Sequence, residues 1–482
     1  MCAQCDSMSA LNQPACAMEG SFILPRVMIA ALHGRSGKTV IVAGILRALK
    51  NRGIDVQPFK KGPDYIDPGW HSAAAGRNSR NLDCFFMDAA AIKAVMHDAS
   101  KGARLALVEG AMGLYDGSDV AGSSSSAEVA KQTTTPVILV IDVTRMTRTT
   151  AALVLGCMDF DPDVHIAGVI LNRIRGKRHE KQIRLAIEEY CGIPVLGAIP
   201  ENDLLALSDR HLGLVTSVEA GDSNEFLNGV AALMEEHCDI DAIVRIADDT
   251  SALQYAPLPQ PARIAGEDAV KIAVVRDRAF HFYYAENLQA LQQAGAELVY
   301  VDSMTDTELP KDICGLYVGG GFPEVFAQQL QENTSFRNSV KTSIDNGIAC
   351  CAECGGLMYL ARTLRTGDSA FEMVGAFDVD IQMETERQGH GYAVVEATGN
   401  HPWLAAGSIL LGHEHHHSHT VGKSDDMSFA YRNQRGRGIS DKMDGLCVKR
   451  TVASYLHVNA IASPAWAEGF VSAAVDYREH QP

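Results

Sequence analysis

Two stretches of the chain alternate apolar runs with helical patterns, and a proline-rich segment separates them. The first stretch, residues 26–249, contains near-continuous apolar runs of strand length. Such runs are typical of strands that are buried on both faces of a parallel sheet. The predicted strands are VMIAALHG (27–34), RLALVEGA (104–111), PVILVIDV (136–143), IAGVILNR (166–173) and PVLGAIP (194–200). Helical patterns lie between them, and the helix predicted over residues 39–53 ends at Gly53, as a C-terminal glycine cap.

A second alternating stretch covers residues 269–475. The apolar runs KIAVVRD (271–277), ELVYVD (297–302) and GLYVGGG (315–321) predict strands, and ENLQALQQAGA (286–296) predicts a helix. Residues 250–268 contain three prolines and no long apolar period, so they form the predicted linker. Residues 1–25 are predicted to be a disordered tail, in which Cys2, Cys5 and Cys16 have no assigned function.

The composition agrees with this division into two domains. A chain of 482 residues exceeds what one hydrophobic core usually supports, and 46% hydrophobic residues are ordinary for a globular protein. The net charge of −17 argues against nucleic-acid binding, because no basic excess is available to meet phosphate backbones. No apolar run is long enough to span a membrane, and twelve scattered cysteines fit a reducing cytoplasm. The oligomeric state is left open, with a homodimer as one expectation.

The first predicted strand leads into a glycine-rich turn, residues 33–39, and a helical pattern follows at once. Glycines at such a turn let backbone N–H groups face a phosphate, and the helix N-terminus adds positive partial charge. In this pattern a lysine reaches the phosphates and a threonine holds Mg²⁺. The consensus has a further glycine where this chain has Leu32, so a glycine-rich turn with an exposed lysine is the alternative. The candidate nucleotide-binding residues are Gly34, Ser36, Gly37, Lys38 and Thr39.

Acidic segments follow two further strands of the first stretch. Glu109 lies at the carboxyl end of a predicted strand, where ligands of open α/β sheets bind, and it suits Mg²⁺ beside nucleotide phosphates. The segment FKKGPDYIDP (59–68) has charges and turn residues typical of a substrate- or metal-binding loop, or of a solvated turn. Its candidate substrate residues are Lys60, Asp64, Tyr65 and Asp67. The candidate metal ligands are Thr39, Asp64 and Glu109.

The segment GIACCAECGGLMY (347–359) predicts a strand, a sharp turn and a helix. A thiol at such a turn is exposed beside a helix N-terminus, which lowers the thiol pKa and favours nucleophilic attack. Cys354 occupies the turn, whereas Cys350 and Cys351 lie in the apolar strand as core thiols. His457 ends a late strand pattern, from which a base could reach the turn. A satisfied interior histidine is the alternative.

The first stretch resembles the cobyrinate a,c-diamide synthase family, which is related to dethiobiotin synthetase. The resemblance rests on GRSGKT (34–39), QPFKKGPDYIDPGWHSAAAGRNSRNLD (57–83), VEGAMGLYDG (108–117), SSSAEVAK (124–131), VILNRI (169–174) and SDRHLGLV (208–215). It implies ATP and Mg²⁺ as cofactors, an adenine contact from Asn172, and Asp64 and Glu109 as groups that position metal or substrate. Arg35 and Lys61 depart from the residues usual in the family, which leaves the substrate open.

The second stretch resembles the glutamine amidotransferase half of the same family. The matching segments are VVRDRAFHFYYAENLQALQQAGAELVYVD (274–302), GLYVGGGFPEVFAQQL (315–330), AECGGLMYL (352–360), LGHEHHHSH (411–419) and ASYLHVNAIASPAWAEGF (453–470). The resemblance implies Cys354 as nucleophile, His457 as its activating group, and Gly319, Gly320 and Gly321 as an oxyanion-hole loop. Many glutaminases of this fold have a glutamate two residues after the histidine, where this chain has Asn459. We therefore expect a Cys–His pair without a third acid.

The expected fold class is α/β, with an N-terminal P-loop-type parallel-sheet domain and a C-terminal class I glutamine amidotransferase-like domain. Within this fold, the histidine-rich segment 413–419 has two interpretations. Alternate residues of a strand share a face, so His413, His415, His417 and His419 could line one surface. This surface would be either a polar strand at the domain interface or a contact to a tetrapyrrole or its metal.

Together these inferences predict a glutamine-hydrolysing, ATP-dependent carboxylate-amide ligase. Ammonia released at Cys354 would displace phosphate from a carboxylate that the N-terminal domain has phosphorylated. The family implies the a- and c-acetates of cobyrinate as acceptors, with sirohaem or nickel-sirohydrochlorin as alternatives. A non-catalytic nucleotide switch is a further hypothesis, although a turn thiol with a paired histidine argues against it.

Overall fold

The computed structural model describes five ranges of the chain. They are residues 20–202, 204–205, 223–266, 268–422 and 427–480. Cys2, Cys5, Cys16 and the SDRHLGLV segment (208–215) lie outside them. Within these ranges no helix combines the length and the apolar character needed to cross a bilayer.

The N-terminal section is built on a parallel sheet. Its strands, with a short strand that precedes the sheet, are β1 (Gly20–Phe22), β2 (Arg26–Ala31), β3 (Val56–Lys61), β4 (Arg80–Leu82), β5 (Leu105–Glu109), β6 (Val137–Asp142), β7 (Ile166–Ile174) and β8 (Val195–Pro200). The seven-stranded sheet has the order β4-β3-β5-β2-β6-β7-β8. Every residue of β2 and β5 is buried, as the uninterrupted apolar runs predicted. The carboxyl ends of β2, β3 and β5 are adjacent, which brings the loops that follow them together.

Helices cover both faces of this sheet. They are α1 (Lys38–Asn51), α2 (Ile66–Ala75), α3 (Ala89–Ala99), α4 (Ser126–Gln132), α5 (Thr149–Phe160), α6 (Lys177–Cys191), α7 (Ser223–His237) and α8 (Ile240–Asp248). Gly53 has a positive φ of 75° just beyond α1, which confirms the predicted glycine at the end of this helix. Asp88 and Ser125 accept hydrogen bonds from the first turns of α3 and α4, so local side-chain caps fix where these helices begin.

A small antiparallel sheet connects the start of the described chain to the predicted linker. In it β1 pairs with β9 (Leu253–Tyr255). Leu24, which follows β1, is 3% exposed and belongs to the N-terminal core. The prediction of a disordered tail is therefore wrong for residues 20–25, because the linker offers β1 an edge to pair with.

The C-terminal section is dominated by a mixed sheet. Its strands and those of two smaller sheets are β10 (Val270–Val275), β11 (Phe280–Phe282), β12 (Ala296–Val301), β13 (Gly315–Val318), β14 (Gly320–Gly321), β15 (Ala349–Glu353), β16 (Thr363–Thr366), β17 (Ser369–Glu372), β18 (Asp380–Met383), β19 (Gly389–Ala397), β20 (Ile409–His416), β21 (Ser418–Val421), β22 (Ser428–Arg435), β23 (Met443–Val448), β24 (Thr451–Ser454) and β25 (His457–Val458). The ten-stranded sheet has the order β12-β10-β13-β15-β24-β23-β22-β19-β20-β25. Its strands from β12 to β24 are parallel, and those beyond are antiparallel.

The helices of the C-terminal section are α9 (Ala285–Gln293), α10 (Ala327–Glu332), α11 (Thr334–Asp345), α12 (Gly355–Leu360) and α13 (Pro464–Glu479). The predicted domain end at residue 475 is wrong, because α13 continues to Glu479 and packs on α9, β10, β13 and β15. The predicted α/β fold is confirmed by both sections.

Side chains of the two sections contact each other directly. The Tyr392 hydroxyl donates to both carboxylate oxygens of Asp83, at 3.1 and 3.0 Å. The ring of Phe85 stacks on that of Tyr392 with centroids 4.2 Å apart. Arg80 forms an ion pair with Glu286 at 3.1 Å. These contacts hold β4 and the loop after it against β19 and the first turn of α9.

Candidate active sites

The turn between β2 and α1 has the shape of a phosphate loop. Gly37 takes a left-handed conformation, with φ 83°, directly before α1. A side chain at this position would lie 2.6 Å from Nδ2 of Asn172, so only glycine fits. The Asn172 amide donates to the Ser36 carbonyl at 3.0 Å, and Asn172 is 1% exposed. Asn172 therefore supports the loop from below, and its predicted adenine contact stays a prediction.

Lys38 lies inside this turn. Its ammonium donates to the carbonyl oxygens of His33, at 3.2 Å, and Met112, at 2.9 Å. Burial lowers the pKa of Lys38 to about 8, although Glu109 opposes this effect. A cation that is held by two carbonyls at a helix N-terminus is placed to meet an anion. Gly34 and the exposed Arg35, which has a positive φ of 60°, form the outer part of the turn.

A cluster of charged side chains lies beside the phosphate loop. Thr39 donates to Glu109 at 2.8 Å, and Lys60 lies 2.9 Å from Glu109 and 2.5 Å from Asp67. The other Glu109 oxygen is 2.6 Å from Nε2 of His71, which is fully buried. Burial raises the pKa of Glu109, but Lys60 and His71 outweigh it and hold the pKa well below its usual range. The carboxylate is thus anionic although no part of it is exposed.

Asp64 is at the margin of this cluster. One of its oxygens accepts hydrogen bonds from the N–H groups of Ile66 and Asp67 at the start of α2, and the other is 3.9 Å from Lys60 Nζ. Burial and the neighbouring Asp67 raise the pKa of Asp64 to about 7. Asp67, predicted only as a substrate residue, lies 3.3 Å from the Thr39 hydroxyl. The structure thus groups Thr39 with Glu109 and Asp67, while Asp64 mainly caps α2.

The oxygens of this cluster fit a Mg²⁺ ion that is shared with nucleotide phosphates. Mg²⁺ in such sites takes few side-chain ligands and completes its shell with phosphate oxygens and water. Thr39 and Glu109, with oxygens 2.8 Å apart, supply ligands of this kind. Among the residues that the structure describes, no group of three or more His, Cys, Asp and Glu side chains is arranged to hold a metal ion alone.

Cys354 lies at the predicted turn between β15 and α12. Its backbone is strained, with φ 48° and ψ −98°, and it directly precedes the first residue of α12. Its N–H donates to the Ser454 carbonyl at 2.7 Å, and its thiol is 3.7 Å from the His415 carbonyl. A nucleophile on a strained strand-to-helix turn presents its sulfur away from the sheet. The predicted strand–turn–helix is confirmed, and Cys350 and Cys351 lie in the buried strand, as expected.

His457 lies next to Cys354, but not at the end of β24, where the sequence pattern ended. It begins the two-residue strand β25, which pairs with β20. Its ring stacks on that of His413, with centroids 4.8 Å apart. Burial opposes a charge on His457, but interactions with Cys354 and Glu353 outweigh burial and raise its pKa to about 10. The imidazolium form is therefore favoured, and the predicted pair is brought together.

The glycine loop after β13 contributes unequally to this site. Gly319 donates its N–H to the Tyr283 hydroxyl at 2.7 Å. Contrary to the prediction, this group therefore does not face the strand-to-helix turn at Cys354, the elbow. A Cβ on Gly320 would lie 2.6 Å from Cε1 of His457. A Cβ on Gly355 would lie 3.0 Å from the backbone nitrogen of Gly321. Gly320 and Gly321 thus line the elbow, and Gly319 accommodates the Tyr283 ring.

Glu353 is a residue of this site that sequence reasoning missed. It directly precedes Cys354, is 1% exposed, and places a carboxylate oxygen 3.6 Å from Nδ1 of His457. The structure thus brings a carboxylate next to the predicted pair from the position before the cysteine, and not from the position two residues after the histidine. The Cys–His pair without a third acid stays a prediction. An acidic residue at the end of an otherwise apolar strand was the available signal.

Tyr65 connects the two sites. It lies between Asp64 and the first turn of α2, which carries Asp67, yet its ring packs 5.3 Å from that of His457 and 5.6 Å from that of His413. It also stacks on Phe282 with centroids 5.1 Å apart and an interplanar angle of 9°. The loop predicted to bind substrate therefore lies between the charged cluster and the thiol site.

The histidine cluster does not form one continuous strand face. The strand β20 ends at His416, and His419 belongs to β21 in another sheet. Glu414 is buried and accepts hydrogen bonds from Asn433 and from the N–H groups of Arg437 and Gly438. The buried His416 stacks on Tyr455 at 3.6 Å. Glu414 and His416 thus have partners within the C-terminal section, and His413 contacts Tyr65 of the N-terminal section. A contact of the other histidines with a tetrapyrrole or its metal stays a prediction.

The two sites define a class of protein, an enzyme that joins a nucleotide-binding domain to a glutamine amidotransferase domain. Residues 27–215 match the CobQ/CobB/MinD/ParA nucleotide binding domain, and residues 271–465 match the CobB/CobQ-like glutamine amidotransferase domain. The chain belongs to the cobyrinate a,c-diamide synthase family. It is therefore an amidating ligase, which contradicts the hypothesis of a non-catalytic nucleotide switch.

Relatives match nearly the whole chain. The cobyrinate a,c-diamide synthase of Archaeoglobus fulgidus is 43% identical over 459 residues, which cover 94% of this chain and 98% of the relative. That of Magnetococcus marinus is 40% identical, covering 92% of this chain and 96% of the relative. That of Methanothermobacter thermautotrophicus is also 40% identical, covering 94% of this chain and 100% of the relative.

Proposed function

We propose that the protein uses ATP and glutamine to convert the a- and c-acetate carboxylates of cobyrinate into amides. The relatives that match this chain over almost their full length are named for this activity. One observation supports the coupling of the two half-reactions. Tyr65, which packs against His457, lies two residues before Asp67, which pairs with Lys60.

In the glutaminase half, the Cys354 sulfur attacks the carboxamide carbon of glutamine. The oxyanion that forms accepts hydrogen bonds from backbone N–H groups of the Gly320–Gly321 loop and of the turn after Cys354. The protonated His457 donates to the leaving nitrogen, so the C–N bond breaks and ammonia departs. Water then attacks the thioester carbon, glutamate is released, and the proton returns to the Cys354–His457 pair.

In the synthetase half, a carboxylate oxygen of the acceptor attacks the γ-phosphorus of ATP, and ADP leaves. Ammonia then attacks the acyl carbon of the acyl phosphate, expels inorganic phosphate and gives the amide. Lys38 and Lys60 supply positive charge beside the transferred phosphoryl group. Mg²⁺ held by Thr39 and Glu109 would supply further charge neutralisation at the phosphates.

The state of the cysteines bears on the location of the protein. The cysteines that the structure describes are all free, which supports a reducing compartment such as the cytoplasm. A homodimer stays a prediction. The division into domains at residues 26–249 and 269–475, with a linker at 250–268, also stays a prediction, apart from the ends corrected above.

An acceptor assay tests the proposed substrate. The protein is incubated with ATP and glutamine in three parallel reactions, which contain cobyrinate, sirohaem or nickel-sirohydrochlorin. The masses of the products are then measured by mass spectrometry. We expect two amide groups on cobyrinate, formed only when ATP is present. Amidation of a sirohydrochlorin derivative without amidation of cobyrinate would reject cobyrinate as the substrate, and amidation without ATP would reject the mechanism.

A further inference from the structure

A buried carboxylate lies beside the histidine of the thiol site. It belongs to the residue before the nucleophile, whereas the expected position was two residues after the histidine. Glu353 is the last residue of β15, and its neighbour across the sheet is Ser454 at the end of β24. One carboxylate oxygen accepts a hydrogen bond from the Val458 N–H at 3.3 Å. The other oxygen points to Nδ1 of His457 at 3.6 Å. The backbone of β25 thus holds the carboxylate in line with the ring.

These two atoms have no other partner. Oε2 of Glu353 and Nδ1 of His457 are both buried, and neither has a hydrogen bond to another group in the described part of the chain. A buried carboxylate and a buried ring nitrogen each carry a desolvation cost unless they are paired. Hydrogen bonds at catalytic sites are often long without substrate and tighten in the reacting complex.

The other groups around His457 cannot take this role. The ring of His413 stacks on it, and burial, followed by the neighbouring His457, lowers the pKa of His413, so it is neutral. Tyr65 packs nearby, and burial raises its pKa well above the ordinary value, so it is also neutral. The Asn459 side-chain oxygen accepts from the N–H groups of Ile461 and Ala462 and closes the turn after β25. Glu353 is the carboxylate among the groups that contact His457.

We propose that Glu353 is a positioning residue for glutamine hydrolysis, which holds Nδ1 of His457 so that the other ring nitrogen faces Cys354. The inference rests on the proposed glutaminase function. A carboxylate in this position fixes the tautomer and the orientation of the ring and stabilises the imidazolium. Glu353, the residue before the nucleophile, would thereby complete a triad with Cys354 and His457.

Two substitutions of Glu353 in the full-length chain test this role. Glu353→Gln keeps the size and removes the charge, and Glu353→Asp keeps the charge on a shorter side chain. We expect Glu353→Gln to lower kcat for glutamine hydrolysis about 10²-fold with little change in KM for glutamine. Glu353→Asp should retain more activity than Glu353→Gln. Amidation with free ammonium should stay near the wild-type rate in both, which also reports that the variants are folded.

A pH profile separates positioning from a structural effect. Glu353 raises the pKa of His457, so its removal should move the inflection of kcat/KM that belongs to His457 to lower pH. Glu414→Gln is the matched control, because Glu414 is a similarly buried carboxylate whose partners are Asn433 and backbone N–H groups. It should leave this inflection in place even if it lowers thermal stability.

The outcomes are distinguishable. If Glu353→Gln matches the wild type in kcat and in its pH profile, or if Glu353→Asp is no more active than Glu353→Gln, the positioning role is overturned while the glutaminase assignment stands. If the wild-type protein hydrolyses no glutamine under any condition, the proposed function itself fails.

Discussion

The ring of Tyr65, on the loop after β3, packs 5.3 Å from the ring of His457 beside the elbow thiol. Asp67 lies two residues further on, in the first turn of α2, and its carboxylate is 2.5 Å from the ammonium of Lys60 in the nucleotide-binding section. A residue between the place where ammonia forms and the place where it is used can separate both from solvent. In the proposed mechanism this contact is the physical link between the two half-reactions.

Removing the Tyr65 ring should uncouple the two half-reactions. Tyr65→Ala opens a space beside His457, from which ammonia can escape before it meets the activated carboxylate. We expect more than one glutamate to form per amide, measured by assaying both products in the same reaction. Tyr65→Phe keeps the stacking on Phe282 and should stay near the wild-type ratio. A wild-type ratio in Tyr65→Ala would contradict the proposed separation from solvent.

Replacing the elbow thiol should separate the nitrogen sources. Cys354→Ala leaves no nucleophile for the carboxamide, so glutamine-dependent amidation should be lost. Amidation with free ammonium should persist, because the phosphate loop and the charged cluster are unchanged. Cys351→Ala, a change to a neighbouring core thiol, serves as the comparison and should retain glutamine-dependent activity. Loss of activity with ammonium as well in Cys354→Ala would show that Cys354 is not purely a glutaminase nucleophile.

The glycine loop gives a steric prediction. A Cβ at position 320 would lie 2.6 Å from the His457 ring, closer than packed atoms approach. Gly320→Ala should displace the ring and lower glutamine hydrolysis about 10²-fold, because small displacements of catalytic groups have effects of this size. Gly399→Ala is the matched control, since no atom lies within 4 Å of its added Cβ. Equal rates of glutamate formation in the two variants would refute the close approach.

A buried histidine predicts how stability depends on pH. Nδ1 of His401 accepts from the Leu404 N–H at 3.0 Å, and burial lowers the pKa of His401 to about 3. A folded-state pKa below the unfolded value of about 6.5 means that His401 contributes stability above pH 6.5, which is lost as pH falls towards 3. As pH falls from 6.5 towards 3, the free energy of unfolding of the wild type should decrease more steeply than that of His401→Gln. The difference in slope should be up to ~1.4 kcal/mol per pH unit. Chemical denaturation between these pH values measures both slopes, and equal slopes would contradict the neutral form.

The sequence predicted the parallel strands well for a physical reason. Strands such as β2 and β6 are buried on both faces, so their uninterrupted apolar runs identify them without knowledge of their neighbours. The phosphate loop and the elbow were also predictable, because strand, turn and helix are contiguous in each. The pairing of β1 with β9 was not predictable, because it depends on two short segments that are far apart in the chain.

Contacts between distant residues explain what the sequence did not show. Glu353 and His457 are separated by more than a hundred positions, and no local pattern reports that β25 turns its histidine towards the end of β15. The position of Tyr65 has the same origin, because the loop composition indicated substrate binding while the docking of the two sections set its neighbours. The sequence therefore predicted the chemistry of each local segment, whereas the residues that each segment contacts could be identified only from the fold.

In the proposed reaction, nitrogen from glutamine reaches an acceptor carboxylate within this one protein. The direct test is amidation of cobyrinate with ATP and glutamine that carries heavy nitrogen in its amide, in a solution that contains unlabelled ammonium. We predict that mass spectrometry finds the heavy nitrogen at both new amide groups. Product amides that carry mainly unlabelled nitrogen, or no amide at all, would contradict the claim.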